Sequence, residues 1–448
     1  MKILELPAYC YPEKAASSYL WNNLGEEYSK QGFERVLCAP TPCRGVTEEQ
    51  RRIFKKRKEE FLYNGKLHII RFPLFKEGRN VFLRAIRYLL SAVYQFFWAV
   101  SSRHTKSCQI IMVGSTPPIQ GALAALVKKV LCIPFVYNLQ DIFPDSLVGA
   151  GLAKKGGLIW KIGRVIENFT YRNADKIIVI SEGFKCNILA KGVPEEKIEV
   201  IYNWVDEEAV VDIPRSENIL FDRYGLDRNK FYITYNGNIG LTQNLDMLIE
   251  VAKELEHRTE ADGQVYEDIH FVIIGEGIYK EKIEEMVKEQ KIKNITLLPF
   301  QPYEDISHVF SLGDVSLVIS KPEVGANSLP SKTWSIMSAS RPVLVSFDEN
   351  ELKDIIEKNH CGIFTKAGDK EAFIDAILQL YNNRSLCKDL GRNGRKFIME
   401  NLTKEIGTKK YVDVIKCFDK TWAGGRVKVK PNYEVACELS KDDDYGRL

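Results

Sequence analysis

A lysine in the first turn of a helix, behind a proline and a serine, is a place to hold an anion. Asn327-Ser-Leu-Pro-Ser-Lys-Thr333 has that form. It leads into a short helical pattern and then a buried strand, 342–347, and the apolar run 314–320 precedes it. Strand, loop, helix and strand make a βαβ unit whose loop falls at the carboxyl end of a parallel sheet, where open α/β sheets bind ligands. Free first-turn amides and the positive end of the helix dipole favour an anion there, by up to about 2 kcal/mol in sheltered geometry. With Lys332 as a mobile cation, and Ser328, Ser331 and Thr333 as hydroxyl donors, the stretch reads as a diphosphate seat. The alternative makes Ser331 an ordinary N-cap and Lys332 a solvated side chain.

Other candidates follow strands in the same way. Tyr235-Asn-Gly-Asn-Ile-Gly-Leu-Thr-Gln-Asn244 is a small-residue loop in which Gly237 and Gly240 let backbone amides approach an anion, while Asn238 and Gln243 can donate to phosphate or sugar. Gly275-Glu276-Gly277 forms a second turn, but Lys280 sits where a dinucleotide fingerprint wants its third glycine, which argues against a nicotinamide enzyme. Asp141, at the end of a buried strand, could take an acceptor hydroxyl's proton, fix a sugar hydroxyl, or only cap the turn shaped by Pro144 and Asp145. Glu182 occupies an equivalent place, or favours the start of its own helix.

The elements that must position these residues alternate strand and helix throughout the 448 residues, too many for one core. Residues 47–60 read as a charged helix, Val81–Ser101 as a long apolar one, and 206–229 as an aperiodic connection. The expected class is α/β, with two Rossmann-like domains facing each other across a cleft. Ten scattered cysteines without metal-finger spacing suggest reduced thiols. Residues 1–205 carry 30 Lys/Arg against 18 Asp/Glu, a surplus of 12, leaving −9 for the remainder of a chain whose net charge is +3. A basic first half suits an anionic partner. No nucleic-acid module is visible, nor a signal peptide or an apolar run of membrane-span length.

Taken in order, Y-N-G-N-I-G, I-I-G-E-G, L-P-F-Q-P-Y-E-D and P-S-K-T-W-S-I-M-S-A-S-R-P-V resemble the second domain of family 4 nucleotide-sugar glycosyltransferases of the GT-B fold. Y-P-E-K-A-A-S-S, Q-D-I-F-P-D-S and V-I-Y-N-W-V-D extend the resemblance into the first half, toward the bacterial O-antigen, capsule and exopolysaccharide branch that includes fucosamine transferases. The resemblance implies an acceptor-side domain over 1–208, a donor-nucleotide domain over 209–402 and a helix over 403–421 returning to the first domain, while the Gly-Gly, the Lys/Val alternation and Asp442-Asp-Asp444 beyond it suggest a flexible tail over 422–448. It implies retention at the anomeric carbon, a UDP- or GDP-linked sugar as co-substrate, and no obligatory metal. Asn238 and Gln243 stand where the family uses an Arg and a Lys, and Asn327 and Ser335 where it has two glutamates, so Lys332 is expected to take over the diphosphate. Ala16 and Ser17 replace a double glycine on the acceptor side, and Glu323 is an alternative acid for the donor sugar. The implied acceptor is a glycan on a polyprenyl diphosphate. The implied place is cytoplasmic, at the inner face of the plasma membrane. There the Val81–Ser101 helix and the cluster Arg51–Lys58 suit anionic lipid, although a core helix with a broad apolar stripe reads alike. A non-catalytic relative, or an epimerase on the same fold, are the competing readings.

Overall fold

The structure, a computed structural model, describes residues 1–13, 18–78, 80–149, 153–258, 266–326 and 328–419. Ala16, Ser17, Asn327 and the tail over 422–448 lie outside them. The described chain divides into two compact units, Met1–Tyr202 with the segment from Gly407 on, and Asn203–Ile406.

The first unit holds β1 (Lys2–Glu5), β2 (Glu34–Pro40), β3 (Glu59–Leu62), β4 (Leu67–Phe72), β5 (Ile110–Gly114), β6 (Phe135–Leu139), β7 (Lys176–Val179) and β8 (Ile198–Val200). They lie in the order β3-β4-β2-β1-β5-β6-β7-β8. The second unit holds β9 (Phe231–Asn236), β10 (Ile269–Ile274), β11 (Ile295–Leu298), β12 (Val315–Ile319), β13 (Val343–Phe347) and β14 (Gly362–Lys366), in the order β11-β10-β9-β12-β13-β14. Central strands such as β6, β10, β12 and β13 are buried along their whole length, as parallel strands under helices must be. Strand order reverses at β1/β5 in one sheet and at β9/β12 in the other, and such reversals open the crevices where α/β sheets take ligands.

Residues 47–60 are not one helix. A capping box between Thr47 and Gln50 starts the helix Glu48–Lys56, and Glu59-Glu-Phe-Leu62 then alternates outward and inward as edge strand β3, antiparallel to β4. The Lys404–Lys416 helix contributes to the first unit through Tyr411, fully buried, whose hydroxyl donates to Asn138 Oδ1 at 3.0 Å. Among the described residues eight cysteines are free thiols.

The Val81–Ser101 helix turns many of its large apolar residues outward. Its buried face sets Arg87, Ser91 and Gln95 beside the small Ala92 and Ala99, while Phe82, Ile86, Leu89, Leu90, Val93 and Phe97 are exposed. The inward polar residues have work there: Gln95 Nε2 donates to the carbonyls of Pro7 and Cys38 at 2.8 and 2.7 Å. Beside this helix packs Ile119–Leu131, and beside that Leu158–Asn173. These add Leu126, Val130, Leu158, Ile162 and Val165 to the exposed apolar side chains. Among the described residues no helix is long and apolar enough to cross a membrane.

Candidate functional site

The loops leaving β9 and β12 flank the reversal point of the second sheet, and Lys332 stands on the second of them. Its helix, Lys332–Ser338, has only seven residues. It is anchored through buried Trp334, whose ring lies 6.3 Å from that of Phe397. The Ser331 hydroxyl makes no capping bond and is exposed. The amides of Thr333 and Trp334 already donate to the carbonyls of Pro330 and Ser331. The expected amide cradle is therefore largely spent, and the charge at this place belongs to the lysine.

Lys332 turns toward the β9 loop. Its Nζ lies 4.0 Å from the centroid of the Tyr235 ring, a cation–π distance, and 3.2 Å from where a Cβ on Gly237 would stand. Gly237 has φ +140°, a backbone conformation that side chains resist. Among the described residues the Lys332 ammonium has no carboxylate partner and no hydrogen bond. Although the residue keeps some exposed surface, its ammonium is enclosed, and desolvation pushes its pKa down to about 7. An ammonium held against an aromatic face without a counter-ion is poised for an incoming anion.

Two neighbouring groups are also left without partners. Asn236, the last residue of β9, is buried with both its Nδ2 and Oδ1 unpaired, and the buried hydroxyl of Thr333 is unpaired as well. Buried polar groups are paired in the great majority of cases, so these unpartnered groups, at the ends of an adjoining strand and helix, leave hydrogen-bonding capacity that a ligand could meet. Neither Asn236 nor Tyr235 stands out by sequence. The one available signal is an asparagine ending a strand that is otherwise buried and mostly apolar.

The glycine turns serve a different purpose from the one expected. The amides of Gly237 and Gly275 are taken by the carbonyls of Ile274 and Leu298, and that of Gly240 by the Gln243 side chain at 3.1 Å. A Cβ on Gly275 would fall 1.9 Å from the Gly237 carbonyl oxygen, and one on Gly277 2.1 Å from that of Ile239. These glycines let the two loops press together; they do not present amides to a phosphate. Gln243 is thereby folded onto its own loop, and Glu276 pairs with Lys280 at 2.7 Å. Asn238 remains exposed, its carbonyl accepting the Tyr235 hydroxyl at 2.7 Å. The β12 loop is pinned by residues that follow β13. Asp348 accepts the amides of Glu323 and Gly325, and Asn350 donates to the carbonyls of Gly325 and Ser328. Leu241, Ile278 and Phe300, all exposed, follow β9, β10 and β11 and rim the same sheet edge.

In the first unit, the amides of Gln140 and Asp141 both donate to the Ser115 hydroxyl, joining the loops after β5 and β6. The Asp141 carboxylate accepts from the Ser146 hydroxyl at 3.2 Å and does not cap a helix amide. The residue is exposed overall, yet its carboxyl lies against enough protein for desolvation to raise its pKa, with Asp145 adding to the rise. Behind it, fully buried Lys191 Nζ bridges Asp145 at 2.6 Å and Glu167 at 2.9 Å, fixing the turn. Glu182 opens the Glu182–Ala190 helix behind the Ser181 cap, with its carboxyl raised by desolvation. Trp204 is buried packing. Among the described residues no cluster could hold a metal ion.

Residues 216–397 match the family model described as glycosyl transferases group 1, and residues 19–209 the one described as glycosyltransferase family 4. The chain is 28% identical over 354 residues to the putative colanic acid biosynthesis glycosyl transferase WcaI of Escherichia coli, spanning 77% of this chain and 83% of that one. It is 22% identical over 348 residues to the probable glycosyltransferase WbjE of Pseudomonas aeruginosa, spanning 76% and 83%. The solved structure of Anabaena HepE in complex with UDP superposes with a TM-score of 0.68 at 14% identity, covering 93% of this chain and 100% of that one; HepE has also been solved with UDP-glucose.

Proposed function

Because the chain is a glycosyltransferase of the group 1 and family 4 type with the GT-B fold, we propose that it moves a sugar from a nucleoside diphosphate to a lipid-linked glycan in surface polysaccharide assembly. The observation that carries this is the unpaired ammonium of Lys332, set over Tyr235 and Gly237 beside the unpaired Asn236 and Thr333. In the proposed reaction Lys332 holds the donor diphosphate and stabilises the negative charge that grows on it as the glycosidic bond breaks. Such preorganised electrostatic stabilisation is usually the largest catalytic term. Asn236 and Thr333 supply hydrogen bonds to phosphate or sugar, and the apolar rim of Leu241, Ile278 and Phe300 offers surface to the nucleoside. Asp141 orients or deprotonates the acceptor hydroxyl. Retention at the anomeric carbon, a UDP-linked donor like that bound by HepE, and fucosamine as the transferred sugar complete the proposal.

The same reading places the protein on a membrane. What supports this is the outward apolar face of the Val81–Ser101 helix and the apolar side chains of the two helices beside it. Large apolar residues outside and polar ones inside suit a surface covered by hydrocarbon, and the basic excess of the first half suits anionic lipid. The test is nucleotide release by the purified protein from a panel of UDP- and GDP-linked sugars, with and without a lipid-linked glycan. Release that depends on the acceptor is expected; binding of donors without release under any pairing would reject the reading.

A further inference from the structure

A second group of polar side chains lies at the carboxyl ends of three neighbouring strands in the first unit. Tyr9 follows β1, Arg44 follows β2 and Glu77 follows β4, and the first turns of the Val81–Ser101 helix bring Arg84, Arg87 and Tyr88 to the same place. Glu77 accepts from Arg44 Nη2 at 2.7 Å, from the Tyr9 hydroxyl at 2.7 Å, and pairs with Arg84 at 3.1 Å. The Tyr9 and Tyr88 hydroxyls meet at 2.7 Å, and the Arg44 guanidinium lies 3.9 Å above the Tyr9 ring.

Arg87 forms the floor of this basin. It is fully buried, and its Nε donates to the Phe75 carbonyl at 3.1 Å, but both terminal nitrogens are without partners. One turn along the same buried face the Ser91 hydroxyl is unpartnered too. The charge does not balance. Three guanidinium groups, those of Arg44, Arg84 and Arg87, act on the single carboxylate of Glu77, while Glu13 is occupied by the amides of Cys10, Cys43 and Arg44. Arginine forks with spare donors and spare charge match phosphate oxygens. Arg44 and Arg84, with side chains 40% and 39% exposed, leave the rim open to solvent. On the outer side of the same helical turns stand Phe82, 81% exposed, with Leu83 and Ile86. A cationic basin thus adjoins an apolar track, the pattern a phosphorylated lipid requires.

We propose that this basin is the acceptor's anion subsite: it holds the diphosphate of a prenyl diphosphate, whose hydrocarbon lies along the outer face of the Val81–Ser101 helix. The subsite rests on the reading that the acceptor is lipid-linked and assigns the residues that hold its diphosphate. The test is calorimetric titration of the full chain with farnesyl diphosphate, farnesol and inorganic pyrophosphate. Farnesyl diphosphate binds, pyrophosphate binds at least tenfold more weakly, and farnesol not measurably. The Arg44→Gln/Arg84→Gln variant, changed only at half-exposed positions and checked for an unaltered circular dichroism spectrum, loses at least tenfold in affinity for farnesyl diphosphate. Lys332→Met, which removes the cation of the other unit, does not. Unchanged affinity in the arginine variant, equal binding of farnesol, a loss on Lys332→Met alone, or pyrophosphate binding to the Lys332→Met protein as tightly as the lipid would each overturn the subsite. Failure of the lipid-acceptor reading shows elsewhere, as wild-type transfer to a neutral soluble glycan in preference to a lipid-linked one.

Discussion

The ammonium of Lys332 rests 4.0 Å from the ring centroid of Tyr235, although 96 residues separate the two in the chain. The ring takes the place of the carboxylate that would ordinarily neutralise a sheltered lysine. An acid there would lower the site's appetite for phosphate, whereas an aromatic face steadies the cation and leaves it electrostatically unspent.

This pairing makes donor affinity depend on pH. With its pKa near 7, Lys332 is increasingly neutral above that pH in the free protein. A bound diphosphate favours the charged form, so affinity for a nucleotide sugar should be level below pH 7 and fall above it, by about tenfold per unit at most. Calorimetry from pH 6 to 8.5 should show this slope, with proton uptake on binding, and Lys332→Met should abolish both. Stability runs the other way. The folded-state pKa lies below that of the unfolded chain, so the folded protein holds fewer protons between about 7 and 10.5. Stability from this group therefore rises with pH across that window, and Lys332→Met should gain most over wild type at pH 6.

The close contact of the β9 and β10 loops gives a pair of contrasting substitutions. Gly275→Ala places a methyl 1.9 Å from the Gly237 carbonyl oxygen, whereas Gly240→Ala meets only the ends of the Asn238 and Gln243 side chains at 2.6 Å. Overpacking against backbone should destabilise the first by about 1–3 kcal/mol or more and weaken donor binding with it. The second should cost little, since flexible side chains can move aside. Urea unfolding of the two variants compares them directly.

Asn236 separates binding from folding. Its amide is buried and unpaired, so Asn236→Leu removes an unmet hydrogen-bonding demand and should leave stability unchanged or higher. Donor affinity should nevertheless fall at least fivefold. A loss of stability with intact affinity would make Asn236 a packing residue.

The outward apolar face predicts lipid binding. Phe82→Ser with Leu90→Ser should abolish sedimentation with anionic phosphatidylglycerol vesicles while leaving thermal unfolding unaltered, because both side chains are exposed. Each removes part of the about 1.5–3 kcal/mol that full burial of such a side chain contributes. Equal sedimentation of variant and wild type would assign the face to another partner.

These residues differ in how visible they are by sequence alone. The Val81–Ser101 helix can be read to its ends, because a long apolar pattern follows the capping residue Asn80. Which side of it faces out cannot be read, since a broad apolar stripe looks alike from within and without. Lys332 is conspicuous through the Pro-Ser-Lys start of its helix. Tyr235 and Asn236 are not, because each passes for a strand residue until the β12 loop is brought across the sheet edge. Gly275 draws notice for the wrong reason: its lack of a side chain serves a neighbouring carbonyl, a contact made only in three dimensions. Asp348 and Asn350 are silent for the same cause, since the amides and carbonyls they hold belong to a loop some 25 residues earlier.

The central claim is that Lys332 holds the donor diphosphate, and turnover of Lys332→Ala tests it most directly. Removing one preorganised charge-stabilising group typically costs about 2.7–4 kcal/mol in the barrier. Nucleotide release in the presence of acceptor, measured at pH 6.5 where the wild-type lysine is mostly charged, should fall at least tenfold with the fold intact. Turnover equal to wild type would contradict the account and remove Lys332 from the mechanism.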